Sequence, residues 1–188
     1  MLDLLDNIAQ CTICAHKLPL GPNPVLSASK ESKILLVGQA PGLAVHNSGI
    51  PWNDKSGENL RNWLAVDHHQ FYNPDIFGIV PMAFCYPGRG KSGDLPPSAD
   101  CAPKWHELLL SEMKHLELVI LIGKYAQDYY LRDKENLTSR VKNYKQYLPR
   151  YFVLPHPSPR NNIWQAKNEW FKSDVLPNLK NRVHQIIA

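Results

Sequence analysis

Four short apolar runs constrain this chain more than any other feature of its sequence. They are Lys33–Val37, Ile76–Met82, Leu116–Ile122 and Tyr151–Leu154. Each is rich in β-branched or aromatic residues, nearly continuous rather than alternating, and bounded by turn residues. Strands covered on both faces read this way, so the runs predict a parallel sheet. Parallel strands need crossover connections, and the segments between the runs carry helical spacing. Gly57–Val66 has Leu60, Trp63 and Leu64 at that spacing, and Ala102–Lys114 presents Trp105, Leu108, Leu109 and Met113 on one face. Gly123–Leu131 and Thr138–Tyr147 fill the next crossover, and Asn162–Ile187 closes the chain with a break expected near Pro177. The alternation predicts a single α/β domain over residues 1–188, a three-layer αβα sandwich, with an N-terminal Cys-containing segment (1–30) packed on it.

Composition narrows the class without naming a function. A chain of 188 residues needs no covalent staples to hold a core. With 44% hydrophobic and 20% charged residues it is neither disordered, collagen-like nor a coiled coil. No run reaches the roughly 18 apolar residues of a membrane span. The N-terminal MLDLLDNIAQ carries two acids and no basic stretch, unlike a secretory signal. A cytoplasmic protein with no membrane partner is therefore expected. In a reducing compartment four cysteines are better read as metal ligands or buried thiols than as disulfides. The formal charge of +4 permits an anionic partner. Sixteen prolines predict a loop-rich molecule.

In open parallel sheets ligands bind at the carboxyl ends of the strands. The loops after Val37, Met82, Ile122 and Leu154 should therefore meet at one site. The first is Gly38-Gln39-Ala40-Pro41-Gly42, a tight turn whose backbone N–H groups can face a ligand. It lacks the spacing of a phosphate loop or a dinucleotide fingerprint. The last is Pro155-His156-Pro157-Ser158-Pro159-Arg160-Asn161, in which prolines stiffen the backbone around each polar side chain. The cysteines fall into two local pairs. Cys11-Thr12-Ile13-Cys14 is a C-x-x-C, and Cys85 and Cys101 are separated by fifteen residues. Four such thiolates can close a 4Fe-4S cluster or a tetrahedral zinc site, and unligated cysteines remain the other reading.

GQAPG after the first strand and HPSPRN after the last resemble the two motifs of the uracil-DNA glycosylase superfamily. HPSPRN is the form seen in single-strand-selective monofunctional uracil glycosylases. The stretch from Gly49 to Leu60 (GIPWNDKSGENL) resembles the G-x-P-F-x-G-x-[SA]-G-x-x-L segment of the iron–sulfur families four and five. The cysteine pattern is similar to the cluster-binding pattern of the same families. The resemblance implies a four-stranded parallel sheet in the order 2-1-3-4. It implies a monofunctional enzyme, acting as a monomer on DNA containing a damaged base. Such an enzyme flips uracil or a related deaminated base out of the stack and hydrolyses its N-glycosidic bond, leaving an abasic site.

The resemblance also assigns roles. Trp52 stands where the family stacks a Phe on the flipped base. His156 would hydrogen-bond the uracil O2 as charge develops there. Arg160 would enter the duplex or bind phosphate, with Ser158 and Asn161 on backbone phosphates. Cys11, Cys14, Cys85 and Cys101 would hold a structural 4Fe-4S cluster that pins the N-terminus to the 85–101 loop. Gly38, Ala40, Pro41, Gly42 and Pro81 would line the base pocket. Two departures stand out. The water-activating carboxylate of the first motif is missing, with Gln39 and Ala40 in its place. Gln can position a water but cannot take its proton at pH 7. His46, Asn47 and Asp54 are the nearby polar substitutes, none privileged by sequence. The second departure is Pro81, four residues before the third cysteine, where the family has a base-reading Asn. The remaining histidines, His106 among them, read as surface or helix residues. Trp164, Trp170 and Phe171 read as helix core.

Overall fold

The computed structural model describes residues 1–188. Strands β1 (Ile34–Val37), β2 (Phe77–Ile79), β5 (Leu118–Ile122) and β6 (Tyr151–Leu154) form the main sheet, all parallel, in the order β2-β1-β5-β6. This is the expected 2-1-3-4 arrangement. Register runs Ile34↔Leu118 and Ile34↔Phe77 across the centre, and Val119↔Tyr151 on the far side. Every residue of β1, β2 and β5 is buried, and Tyr151 alone of β6 is partly open. That explains why the sequence runs are continuous: both faces are covered.

The crossovers supply the covering layers. Between β1 and β2 lie α2 (Leu43–Ser48), α3 (Lys55–Leu64) and α4 (His68–Phe71). α5 (Cys101–Glu112) precedes β5, and α6 (Lys124–Leu131) with α7 (Leu137–Lys142) leads to β6. At the ends stand α1 (Leu2–Ala9), α8 (Asn162–Lys167) and α9 (Leu176–Ile187). α3 packs on α9, and α1 on α5. Leu60, Trp63 and Leu64 are buried from α3, as its spacing requires, and Leu179, Val183 and Ile186 from α9. Trp63 meets Phe171 edge-on at 4.9 Å, and Phe171 meets Trp164 at 5.5 Å, so this aromatic group is helix core.

Several boundaries differ from expectation. β2 ends at Ile79, because Pro81 has no N–H to continue a ladder. The last helical stretch breaks at Asn168–Trp170 and passes through a π-turn at Phe171–Val175; Pro177 sits harmlessly in the first turn of α9. The 85–101 loop folds a two-rung hairpin, β3 (Arg89–Gly90) against β4 (Gly93–Asp94). The outer edge of β2 is closed by an antiparallel bridge from Ser27 to Ile79. No helix is long and apolar enough to cross a membrane.

Candidate active site

A cavity of about 510 Å³ opens at the carboxyl ends of the strands. Gly38 to Gly42, Trp52, Pro81, His156, Ser158 and Arg160 all line it. Four stretches distant in sequence therefore meet here, while the loop after Ile122, expected at the same site, lines a smaller neighbouring cavity with Gln39 and His156 instead. Side-chain bonds lock them together. Asn59 Nδ2 of α3 donates to Pro157 O at 2.8 Å, tying the helix after Trp52 to the loop after β6. The Pro51 carbonyl accepts from the Tyr72 hydroxyl at 3.0 Å, and the Trp52 carbonyl from Arg61 Nη1 at 3.4 Å.

Trp52 adopts φ 55, a left-handed conformation that a bulky residue holds only when its surroundings dictate it. Gly57 leaves room for it: a Cβ there would lie 1.7 Å from the Trp52 carbonyl oxygen. Gly38 does the same for the side chain, since a Cβ at β1's exit would stand 2.8 Å from the indole Cζ2. The indole thus lies against bare backbone, 5.6 Å centroid to centroid from the His156 ring.

His156 carries a definite tautomer. The Ser158 N–H donates to its Nδ1 at 3.2 Å, so the ring hydrogen of the neutral form sits on Nε2. Burial holds its pKa below the ordinary imidazole value, opposed by the nearby Asp54 carboxylate. The ring is thus a neutral N–H donor at neutral pH. Asn161 does not line the main cavity; its Nδ2 donates to His156 O at 2.7 Å and braces the loop from behind. Ser158 Oγ accepts from Arg160 N at 3.3 Å and caps the turn that follows. The Arg160 guanidinium spans the cavity mouth to Ser92 O at 3.0 Å.

Of the three polar substitutes near the first motif, Asp54 alone lines the cavity; His46 and Asn47 do not. Its Oδ1 accepts from Gly57 N at 2.8 Å as the N-cap of α3, which holds the carboxylate in place. Gln39 Nε2 reaches Leu95 O in a long bond of 3.4 Å. The sequence reading missed the other wall: Tyr86, Arg89, Ser92, Gly93 and Asp94, brought in by the hairpin. It carries no helical or strand periodicity, and a two-rung hairpin leaves no such signal.

Cys11, Cys14, Cys85 and Cys101 line one separate cavity of about 30 Å³ with Leu18, Pro24, Ala83, Phe84 and Pro87. All four are partly buried free thiols, and Cys14 Sγ lies 2.9 Å from Ser98 Oγ. Burial pushes the Cys101 thiol up to about 12 and raises that of Cys85, with the other sulfurs adding to both. No three Cys, His, Asp or Glu side chains are drawn to metal-binding geometry. In donor type alone the four thiols around this cavity suit a Cys₄-held group; they are not gathered into its geometry.

The family model of the uracil DNA glycosylase superfamily matches residues 26–180, which takes in the sheet, both site loops, Cys85 and Cys101. With that match over most of the chain, and the four-stranded parallel sheet and strand-end cavity already described, this chain belongs to the uracil DNA glycosylase superfamily.

Proposed function

We propose that this chain is a monofunctional DNA glycosylase that removes uracil or a related deaminated base and leaves an abasic site. The observation that carries the reading is the meeting of a stacking ring, a neutral N–H donor and a carboxylate in one cavity: Trp52, His156 and Asp54. A flipped base would stack on Trp52, an interaction worth ~1–3 kcal/mol. The C1′–N bond breaks with its electron pair leaving on the base. His156 Nε2–H donates to the base carbonyl where that charge develops. Water adds to the oxocarbenium-like C1′ and loses its proton to the Asp54 carboxylate, with Gln39 positioning the water. Asp54 thereby takes the role that Ala40 and Gln39 cannot fill. No lysine lines the cavity, which supports hydrolysis without strand cleavage. Arg160 would leave Ser92 O for a phosphate or the vacated stack, one exposed hydrogen bond being little to give up.

Oligonucleotides carrying uracil, hypoxanthine or xanthine, single- and double-stranded, test the reading by abasic-site formation. Excision of at least one base is expected. Binding of these strands in gel retardation without any excision would replace it with a non-catalytic binding member of the superfamily.

Cys11, Cys14, Cys85 and Cys101 would hold a 4Fe-4S cluster, with zinc as the other Cys₄ occupant. Such a group supplies a cross-link between the N-terminal segment and the 85–101 loop and stands apart from the catalytic cavity. Iron, sulfide and zinc content with the visible absorption spectrum of the purified protein decides between them. Absence of all three leaves the thiols as packing.

A further inference from the structure

His106, in the middle of α5, is 2% exposed and has no part in the reaction above. Both of its ring nitrogens are bonded. Nε2 lies 3.0 Å from Pro81 O and Nδ1 2.7 Å from the Tyr130 hydroxyl. A carbonyl can only accept, so the ring hydrogen is on Nε2, and Tyr130 donates to the Nδ1 lone pair. The ring lies parallel to Phe84, 5.9 Å away, and burial holds its pKa down at about 4, so it is neutral. The bonds run in one direction, from Tyr130 O–H through the imidazole to the Pro81 carbonyl.

Pro81 forms the cavity wall at the end of β2. It has no N–H, and its carbonyl accepts from His106, so its backbone offers a base no donor. The next two residues reach the other way: Met82 N donates to Gly38 O at 2.9 Å and Ala83 N to Gln39 O at 3.1 Å. Val80–Ala83 is thus a strap between α5 and the loop that floors the cavity. His106 makes the one side-chain hydrogen bond to it.

We propose that His106 is a positioning residue of the glycosylase site: its Nε2–H holds the Pro81 carbonyl out of the cavity and, through the strap, sets Gly38 and Gln39 beneath the base. This rests on the glycosylase reading. A glutamine can also donate at one end and accept at the other, whereas leucine can do neither. His106→Leu should therefore lower the single-turnover excision rate about tenfold, the scale of one buried hydrogen bond, with DNA affinity unchanged. His106→Gln should recover most of the loss, and Tyr130→Phe should act in the same direction as His106→Leu but less.

Amide hydrogen exchange supplies the readout that general destabilisation would not reproduce. His106→Leu should speed exchange at Met82 and Ala83 while β5 and β6 keep their protection. Nitrogen-15 spectra of the wild-type imidazole should show the Nε2–H tautomer. Equal rates in the Leu and Gln variants, a uniform rise in exchange across the sheet, or an Nδ1–H tautomer would each overturn the assignment. If the wild-type protein excises no base, the glycosylase reading fails; local exchange at Met82 and Ala83 still upholds the strap, and uniform exchange still rejects it.

Discussion

The cavity has two unlike walls. One is built from the loops directly after β1 and β6, carrying Gly38–Gly42 and His156–Arg160. Its roots are strands buried on both faces, its backbone is stiffened by prolines, and Pro155 and Pro157 are themselves buried. The other is the Tyr86–Asp94 wall, a hairpin of two rungs set between Cys85 and Cys101. Arg89 and Asp94 are exposed, and the wall is held by Arg160 on Ser92 O and Gln39 on Leu95 O. The proposed chemistry falls on the first wall, where rigid elements can hold reacting groups to a fraction of an ångström. The second presents exposed Arg89, Ser92 and Asp94 at the cavity mouth, where the proposed function would have it meet DNA.

Substitutions that press on the rigid side of the cavity and ones that face the hairpin should differ in kind. The largest effect is expected from Gly57→Ala, whose Cβ would strike the Trp52 carbonyl at 1.7 Å. Backbone must move, so Trp52 and the start of α3 are displaced, at a cost of about 3 kcal/mol. Thermal unfolding and the loss of measurable excision report it. Gly42→Ala is the contrast: its Cβ would meet the Asp94 carboxylate, from the hairpin, at an ordinary 3.5 Å, and little change is expected.

His156→Ala should lower the excision rate by about 10²–10³-fold with folding and DNA affinity nearly intact, the scale for losing one donor to a developing anion. Full activity in this variant would move the chemistry off the first wall. Asp54→Asn keeps an N-cap for α3 and removes only the base, so it should fold normally and slow excision by about 10²-fold. An unslowed Asp54→Asn enzyme would mean that the water needs no protein base, with Gln39 only positioning it.

The strap beneath the first wall should show itself in acid. His106 binds its proton near 6.5 in the unfolded chain but at about 4 when folded, because burial opposes the charge. The unfolded state therefore takes up more protons below pH 6.5. Stability from this group is complete above pH 6.5 and falls between pH 6.5 and 4, by about 3 kcal/mol in all. Denaturant unfolding at pH 7.5, 5.5 and 4.5 measures it, and the decline should be smaller in His106→Gln. Last, Arg160→Ala should weaken DNA binding several-fold at low salt and reduce the salt slope by about 1, leaving the chemical step nearly unchanged.

Much of the first wall was legible in the sequence. Continuous apolar runs mark strands covered on both faces, and strand-end loops meet at one place in a parallel sheet, which puts GQAPG and HPSPRN at one cavity from sequence alone. The second wall was not. A hairpin of two rungs has no periodicity to read, and the bond that clasps it comes from Arg160, 68 positions away. Asp54 shows the same limit on a smaller scale. As a residue type it was one of three equal substitutes; its place in the cavity follows from the helix it caps and from the left-handed turn at Trp52.

The sequence by itself determined the layers, the strand order by family likeness, and the residues of the two motif loops. These depend on local pattern and on topology, which short-range physics encodes. Only the tertiary structure decided which polar groups share the cavity and what states they hold. Asp54 faces the cavity while His46 and Asn47 do not. His156 carries its hydrogen on Nε2 because a backbone N–H two residues on donates to Nδ1. His106, which read as an ordinary helix residue, holds a proline carbonyl twenty-five positions away. A side chain's hydrogen-bond partners and burial are set by segments that meet only when the chain has folded, and no spacing along the chain records them.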